Sequence, residues 1–272
     1  MLATQLLDIA VNNLSVSYSN ARLALYNANC RVEPGTITGL IGPNGGGKST
    51  LFKSIMGFLQ PAQGNISIGG LPVTKAQKKQ LMAYVPQSDE VDWNFPISVY
   101  EVVMMGRYGH MNLLRIPSAK DRRLVMESLE RVGMNEFRHR QIGELSGGQK
   151  KRAFLARALA QQGKVILLDE PFTGVDVKTE KSIIDLLLEL REEGHTILVS
   201  THDLASIATF CDRTILLNQT ILAEGTTAET FTEENLVMTF GGLPVSSLRQ
   251  MSQEYQEENL ARFAEANRGY RQ

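Results

Sequence analysis

Eight residues constrain this chain more than any others: Gly42-Pro43-Asn44-Gly45-Gly46-Gly47-Lys48-Ser49 fit the pattern G-x-x-x-x-G-K-[ST]. They follow a branched apolar run, Ile37 to Ile41, that reads as a strand. They lead into Lys48 to Phe58, where Leu51, Phe52, Ile55 and Met56 recur at helical spacing. A strand that turns through glycines into a helix offers an anion its backbone N–H groups and the partial positive charge of the helix N-terminus. In such a loop Lys48 is expected to reach the β- and γ-phosphates of a nucleotide, and Ser49, followed by Thr50, to hold Mg²⁺. At average residue usage this pattern arises by chance in roughly one chain of this length in a hundred. Its placement between strand and helix makes coincidence rarer still.

The rest of the chain predicts an α/β protein. Strands are expected at Ile9 to Val16 and Asn65 to Gly69 in the first third. From about Ser88 to Gln141 strand signals give way to helical periods. Ser98 with Glu101 forms a capping box at the start of one helix, and Asp121 to Val132 reads as a second. Alternation then returns. Val165 to Leu168 is a short, fully apolar run of the kind found in buried parallel strands. A helix is expected from Lys178 to Glu193, a strand at Thr196 to Val199, a helix from about Leu204, and strands at Thr214 to Leu217 and Thr220 to Ala223. The expected organisation is a domain over residues 8–240 with a helical insertion at about 88–160, then a polar tail over 241–272.

The apolar run Val165 to Leu168 ends in Asp169-Glu170. Carboxylates at the end of a buried strand are costly unless positive charge meets them. Beside a phosphate loop, Asp169 is the candidate for the Mg²⁺ shell and Glu170 the candidate for polarising an attacking water. A second glycine-containing helix start follows the insertion: Leu145-Ser146-Gly147-Gly148-Gln149, then Lys150-Lys151-Arg152 and the helical run Ala153 to Ala160. Ser146 fits an N-cap, and the glycine amides could also meet phosphate.

With that LSGGQ segment the chain resembles the ABC ATPase family, whose signature it is, and the family's other motifs occur in the family's order from about residue 8 to 225. The resemblance implies a P-loop NTPase (ABC ATPase) core with a parallel sheet, an antiparallel β subdomain and a helical insertion. It implies that Tyr18 stacks on adenine and that Gln87, in Tyr84-Val85-Pro86-Gln87, meets Mg²⁺ or the water. It implies that Gly174-Val175-Asp176 forms the loop after the acidic strand, and that His202 contacts the γ-phosphate. In this family two subunits pack head to tail and share ATP, so Ser146, Gly147, Gly148 and Gln149 would complete the partner's site. Hydrolysis would drive transmembrane permease subunits, at the cytoplasmic face of the membrane, with a substrate-binding protein as indirect partner.

Val91-Asp92-Trp93-Asn94-Phe95-Pro96, Val103-Met104-Met105-Gly106-Arg107-Tyr108, Arg140-Gln141-Ile142-Gly143-Glu144 and the stretch Glu170 to Asp176 look like importer ATPases for manganese, zinc or iron, most of all the manganese branch. Zinc, iron or an iron chelate are the alternative cargoes. Met104, Met105 and Met111 are expected to pack against the membrane partner. Two departures from the family pattern stand out: Gly46, expected to add backbone freedom to the loop, and the basic pair Lys150-Lys151, expected to be neutral in effect. A soluble ABC protein of translation or repair would carry a second cassette or a long coiled coil, and neither is visible.

Composition closes off other classes. Net charge of -1, from 28 basic and 29 acidic residues, gives no broad electrostatic reason to expect nucleic-acid binding and leaves only a local basic patch open. The two cysteines, Cys30 and Cys211, form no CxxC pattern and predict free thiols. No run of about 18 apolar residues is present, so another chain is expected to cross the membrane.

Overall fold

The computed structural model describes residues 6–18, 23–87, 92–201 and 204–241. Among these, two sheets form. The larger has the order β10-β9-β3-β8-β7-β6. Its members are β3 (Ile37–Ile41), β6 (Met82–Val85), β7 (Val165–Asp169), β8 (Thr196–Ser200), β9 (Arg213–Asn218) and β10 (Thr220–Thr226). All pair in parallel except β10, which closes an antiparallel hairpin on β9. The smaller sheet is antiparallel, in the order β2-β1-β4-β5, from β1 (Ile9–Ser17), β2 (Leu23–Val32), β4 (Gln63–Ile68) and β5 (Leu71–Pro72).

The apolar strands are buried on both faces, and their period of two divides the core. Val165 and Leu167 of β7, with Leu198 of β8, face the small sheet. Ile166 and Leu168, with Ile197 and Val199, face the helices on the other side. Helix α1 (Lys48–Ile55) lies between the two sheets, with Leu51, Phe52 and Ile55 almost wholly buried. The phosphate-loop helix is thus held by core packing along most of its length, with Ser49 and Lys53 its half-buried positions.

The opposite face carries α5 (Gly147–Gln161), α6 (Val177–Glu192) and α7 (Leu204–Phe210). The expected helical insertion contains α3 (Val99–Met105), α4 (Ala119–Arg131) and α5, with α5 packed against both of the others. Arg107 and Asp121 form a buried ion pair, 3.0 Å from Nε to Oδ1. The same guanidinium donates to the Ala160 carbonyl at 2.8 Å, so one cation ties α3, α4 and the end of α5 together.

Several elements lay outside the sequence reading: β2, β5, α2 (Val73–Lys78), β6, and the short helices α8 (Thr227–Thr230) and α9 (Glu233–Phe240). One expectation is corrected. Met104 is buried in the chain's own core and Met111 packs against that core, so of the three methionines only Met105 is substantially exposed. Met104 and Met111 serve the internal packing of the insertion, and the expectation is corrected for those two alone. Beyond Gly241 the polar tail lies outside the described residues, as do Ser88 to Val91.

Candidate functional site

The loop Gly42–Gly47 joins β3 to α1 across the edge of the hairpin β9-β10. Gly42 passes so close to this hairpin that a Cβ would lie 1.9 Å from the Leu217 carbonyl oxygen. Gly47 takes φ 102°, and a side chain there would also strike Leu25 and the Ala24 carbonyl. These two positions demand glycine. Gly46 does not act as a loose joint: its N–H donates to the Pro43 carbonyl at 3.0 Å, and its own carbonyl accepts from the Gln219 N–H at 2.7 Å.

A cavity of about 680 Å³ opens at the start of α1. Pro43, Asn44, Gly45, Gly47, Lys48, Ser49 and Thr50 line it from the loop side. Tyr18, Gln87 and Glu170 line it from elsewhere in the chain. Tyr18 is 43% exposed, and its hydroxyl lies 3.2 Å from Thr50 Oγ1. Lys48 is 6% exposed, and its ammonium donates to the Gly42 and Pro43 carbonyls at 2.7 and 3.2 Å. Burial holds its pKa below the ordinary lysine value, a shift opposed by the negative charge of Glu170 and Asp169. The cation is therefore stored against the loop it is expected to serve, with two carboxylates across the site.

Those carboxylates sit at the end of β7. Asp169 is buried, and its Oδ1 accepts from Ser200 Oγ at 2.6 Å. Glu170 takes φ 49°, left-handed for a residue that is not glycine. Its N–H donates to Ser200 Oγ at 3.0 Å. Its Oε2 accepts from Gln87 Nε2 at 3.3 Å and from Thr173 Oγ1 at 3.2 Å. Gln87 at the end of β6 and Glu170 at the end of β7 meet because those strands are neighbours, which no local sequence pattern states.

Gly42, Gly46 and Asp169 are not among the residues that line this cavity, and two further sets of expected site residues stand elsewhere. Ser146, Gly147, Gly148 and Gln149 open α5, with Ser146 and Gly147 exposed. Ser146 is the N-cap of a full capping box: its hydroxyl accepts from the Gln149 N–H, and Gln149 Oε1 accepts from the Ser146 N–H. Asp176 caps α6, accepting from Thr179 N–H at 2.9 Å, and that hydrogen bond is the main cause of its lowered pKa. His202 lies outside the described residues.

The sequence reading missed four contributors. Gln219, at the β9-β10 turn, lines the cavity and pins Gly46. Ser200 joins Asp169 to the Glu170 backbone, and Thr173 bonds the Glu170 carboxylate. Lys151, expected to be neutral in effect, is 5% exposed and donates from Nζ to the Glu170 carbonyl at 2.7 Å. Gln219 left a trace in the sequence as a residue between adjacent strand runs, Lys151 as half of the basic pair and Thr173 as part of the stretch Glu170 to Asp176, but none of these traces stated a role. Ser200 acts across the fold.

Comparison with known proteins agrees with this architecture. The family model described as ABC transporter matches residues 25–173. Over 245 residues the chain is 81% identical to the manganese transport system ATP-binding protein of Synechocystis sp., spanning 90% of this chain and 94% of that protein. It is 60% identical to the chelated iron transport system membrane protein YfeB of Yersinia pestis, spanning 87% and 80% respectively. Among solved structures, a dimeric post-hydrolysis state of the ATP-binding cassette MJ0796 with ADP and Pi superposes with TM-score 0.71 at 27% identity, covering 80% of this chain and 98% of that one. The chain belongs to the ABC transporter family and is one of its ATP-hydrolysing ATP-binding subunits.

Proposed function

We propose that the chain energises a manganese importer, working in pairs from the cytoplasmic face of the membrane on a separate permease that a substrate-binding protein supplies. The cargo rests on one observation, the 81% identity that runs through 94% of the manganese transport relative. The 60% identity to the chelated iron protein favours an iron chelate as the second reading, with zinc or free iron behind it. No described helix is long and apolar enough to cross a membrane, which fits a peripheral subunit.

The chemistry rests on the cavity. Ser49 and Gln87 on the cavity wall, with the buried Asp169 carboxylate next to Glu170 at the end of β7, offer hard oxygen donors of the kind Mg²⁺ takes beside nucleotide phosphates, so the residues fit that ion. Bound there, Mg²⁺ would neutralise charge on the β- and γ-phosphate oxygens. Tyr18 is assigned to the adenine ring. The loop amides and Lys48 are assigned to the phosphates, Lys48 exchanging its carbonyl partners for phosphate oxygens. Glu170 is assigned to the attacking water, its carboxylate oriented by Gln87 and Thr173. His202 is assigned to the γ-phosphate. Ser146 and Gly147 are exposed and absent from their own cavity lining, which suits them, with Gly148, Gln149 and Asp176, to the face of a partner subunit. Charge developing on the γ-phosphate would then be met from both chains.

Two measurements test this. Glu170→Gln should keep ATP binding, lose turnover by on the order of a thousandfold, and accumulate an ATP-bound dimer by size-exclusion chromatography. Hydrolysis at the wild-type rate would remove Glu170 from its role. Restoring this gene and its permease to a strain lacking both should restore manganese uptake. Restored uptake of another divalent cation or of an iron chelate, with none of manganese, would overturn the cargo.

A further inference from the structure

Glu170 is held at both ends of its peptide by groups outside its own strand. On one side its N–H donates to the Ser200 hydroxyl at 3.0 Å and the Ser200 carbonyl at 3.2 Å, both on β8. On the other its carbonyl accepts from Lys151 Nζ at 2.7 Å, and Lys151 belongs to α5. The backbone between these anchors has φ 49°, a conformation that an L-residue keeps only when its surroundings over-determine it. A charge-assisted bond from a buried ammonium is among the stronger ways to supply that constraint.

Helix α5 makes two more side-chain bonds to strand carbonyls, one of them charged. Arg157 donates from Nη2 to the Tyr84 carbonyl at 3.0 Å, and Gln161 donates from Nε2 to the Met82 carbonyl. Burial lowers the Arg157 pKa to about 10, which leaves the guanidinium charged at neutral pH. The helix therefore grips β6, which leads to Gln87, and the end of β7, which carries Glu170. Lys151 stands one turn from Gly147, at the end of α5 that is exposed in the single chain. A rigid helix cannot shift at that end without moving its lysine.

We infer that Lys151 is a positioning residue: it keeps Glu170 in its left-handed conformation and sets the carboxylate according to where the partner-facing helix start lies. The inference rests on the reading of Glu170 given above. It makes hydrolysis in one subunit's cavity depend on what that subunit's α5 is touching, and so couples the two nucleotides of a dimer. Lys151 itself is not among the residues that line the cavity.

The test compares Lys151→Met, which keeps the apolar stem and removes the donor, with Lys151→Arg, which keeps charge and donor, and with Glu170→Gln, all in the full-length chain. Lys151→Met should lower kcat by about thirtyfold or more, leave ATP affinity within about threefold, and bring the Hill coefficient for ATP close to about 1. Lys151→Arg should recover most of the lost kcat. If Lys151→Met does not fold, Lys151→Gln takes its place with the same readouts and a thermal midpoint. A Lys151→Met protein, or the Lys151→Gln that replaces it, that turns over within about threefold of wild type, or whose lost turnover is matched by lost ATP affinity, overturns the inference. An inactive Glu170→Gln beside an active Lys151→Met removes Lys151 alone. An active Glu170→Gln removes the reading of Glu170 and the inference with it.

Discussion

Helix α1 and the helices of the insertion start in opposite ways. At α1 the N-cap is Gly47, with no side chain to accept from the first amides. At α3, α4 and α5 the N-cap is a serine, and the third residue of the helix returns a bond to it: Ser98 with Glu101, Ser118 with Asp121, Ser146 with Gln149. A helix start leaves amides unpaired, and a capping box closes two of them with the chain's own atoms. Helices α3 and α4 stand without a ligand and close their starts, and α5 is closed in the single chain even though its start is the one proposed to face the partner. The α1 start leaves its amides unclosed, as the proposed phosphate contacts require, and core packing along the helix stands in for the missing cap. An uncapped, glycine-led helix held rigid by its flanks is the more specific mark of an anion site.

The sharpest way to break the insertion is at α4. Asp121 serves the capping box through Oδ2 and pairs with buried Arg107 through Oδ1. Asp121→Ala should cost about 3–5 kcal/mol, because it strands the guanidinium in the core. Urea denaturation would show this as a lowered midpoint. Lys48→Ala attacks the other side of the comparison. It should cost about a hundredfold in nucleotide affinity, ~2.7 kcal/mol, with little change in the midpoint measured without nucleotide. Full retention of binding would contradict the cradle.

A third effect separates the two regions by pH. The Ser118 hydroxyl, with Arg107 contributing, holds Asp121 down at about 2. A folded-state pKa below the unfolded value of about 3.9 makes the unfolded chain bind the proton more tightly. The stabilisation is therefore complete above that unfolded value and is lost as pH falls through it towards about 2. It is worth about 2 kcal/mol. Asp121→Asn should flatten the loss of stability over this window in acid denaturation. The first turn of α1 holds no acidic residue and contributes nothing comparable.

Local grammar made much of this legible. The phosphate loop, the Ser98 box, the Ser146 cap and the apolar strands β3, β7 and β8 are each written in adjacent residues. Other elements fail that condition. In β2 the inward positions after Leu25 are Ala28, Cys30 and Val32, spaced among asparagines and interrupted at Asn27 with φ 44°. Its alternation is too small in side-chain size to read as a strand. Strand β6 has only four residues and pairs only with β7 among the described residues. At the site, the type and order of Lys48, Gln87 and Glu170 were readable. The strain at Glu170 and its anchors were not, because Ser200 and Lys151 are 30 and 19 residues away.

The smallest effect separates two serines that are alike in the single chain. Ser98 and Ser146 both cap an insertion helix and both complete a box. Replacing either by alanine should therefore cost about 1 kcal/mol, read as a small drop in the thermal midpoint. Their second roles differ. Ser98 accepts from the Glu101 N–H, donates to Glu101 Oε2 at 2.6 Å, and has no place in the proposed nucleotide contacts. Ser146 stands beside exposed Gly147, at the helix start proposed to meet the partner's triphosphate. Ser98→Ala should leave kcat and ATP affinity unchanged, whereas Ser146→Ala should lower turnover as well as the midpoint. Equal losses of stability with equal, unaltered turnover would reduce Ser146 to a cap and leave the partner's phosphate without its hydroxyl.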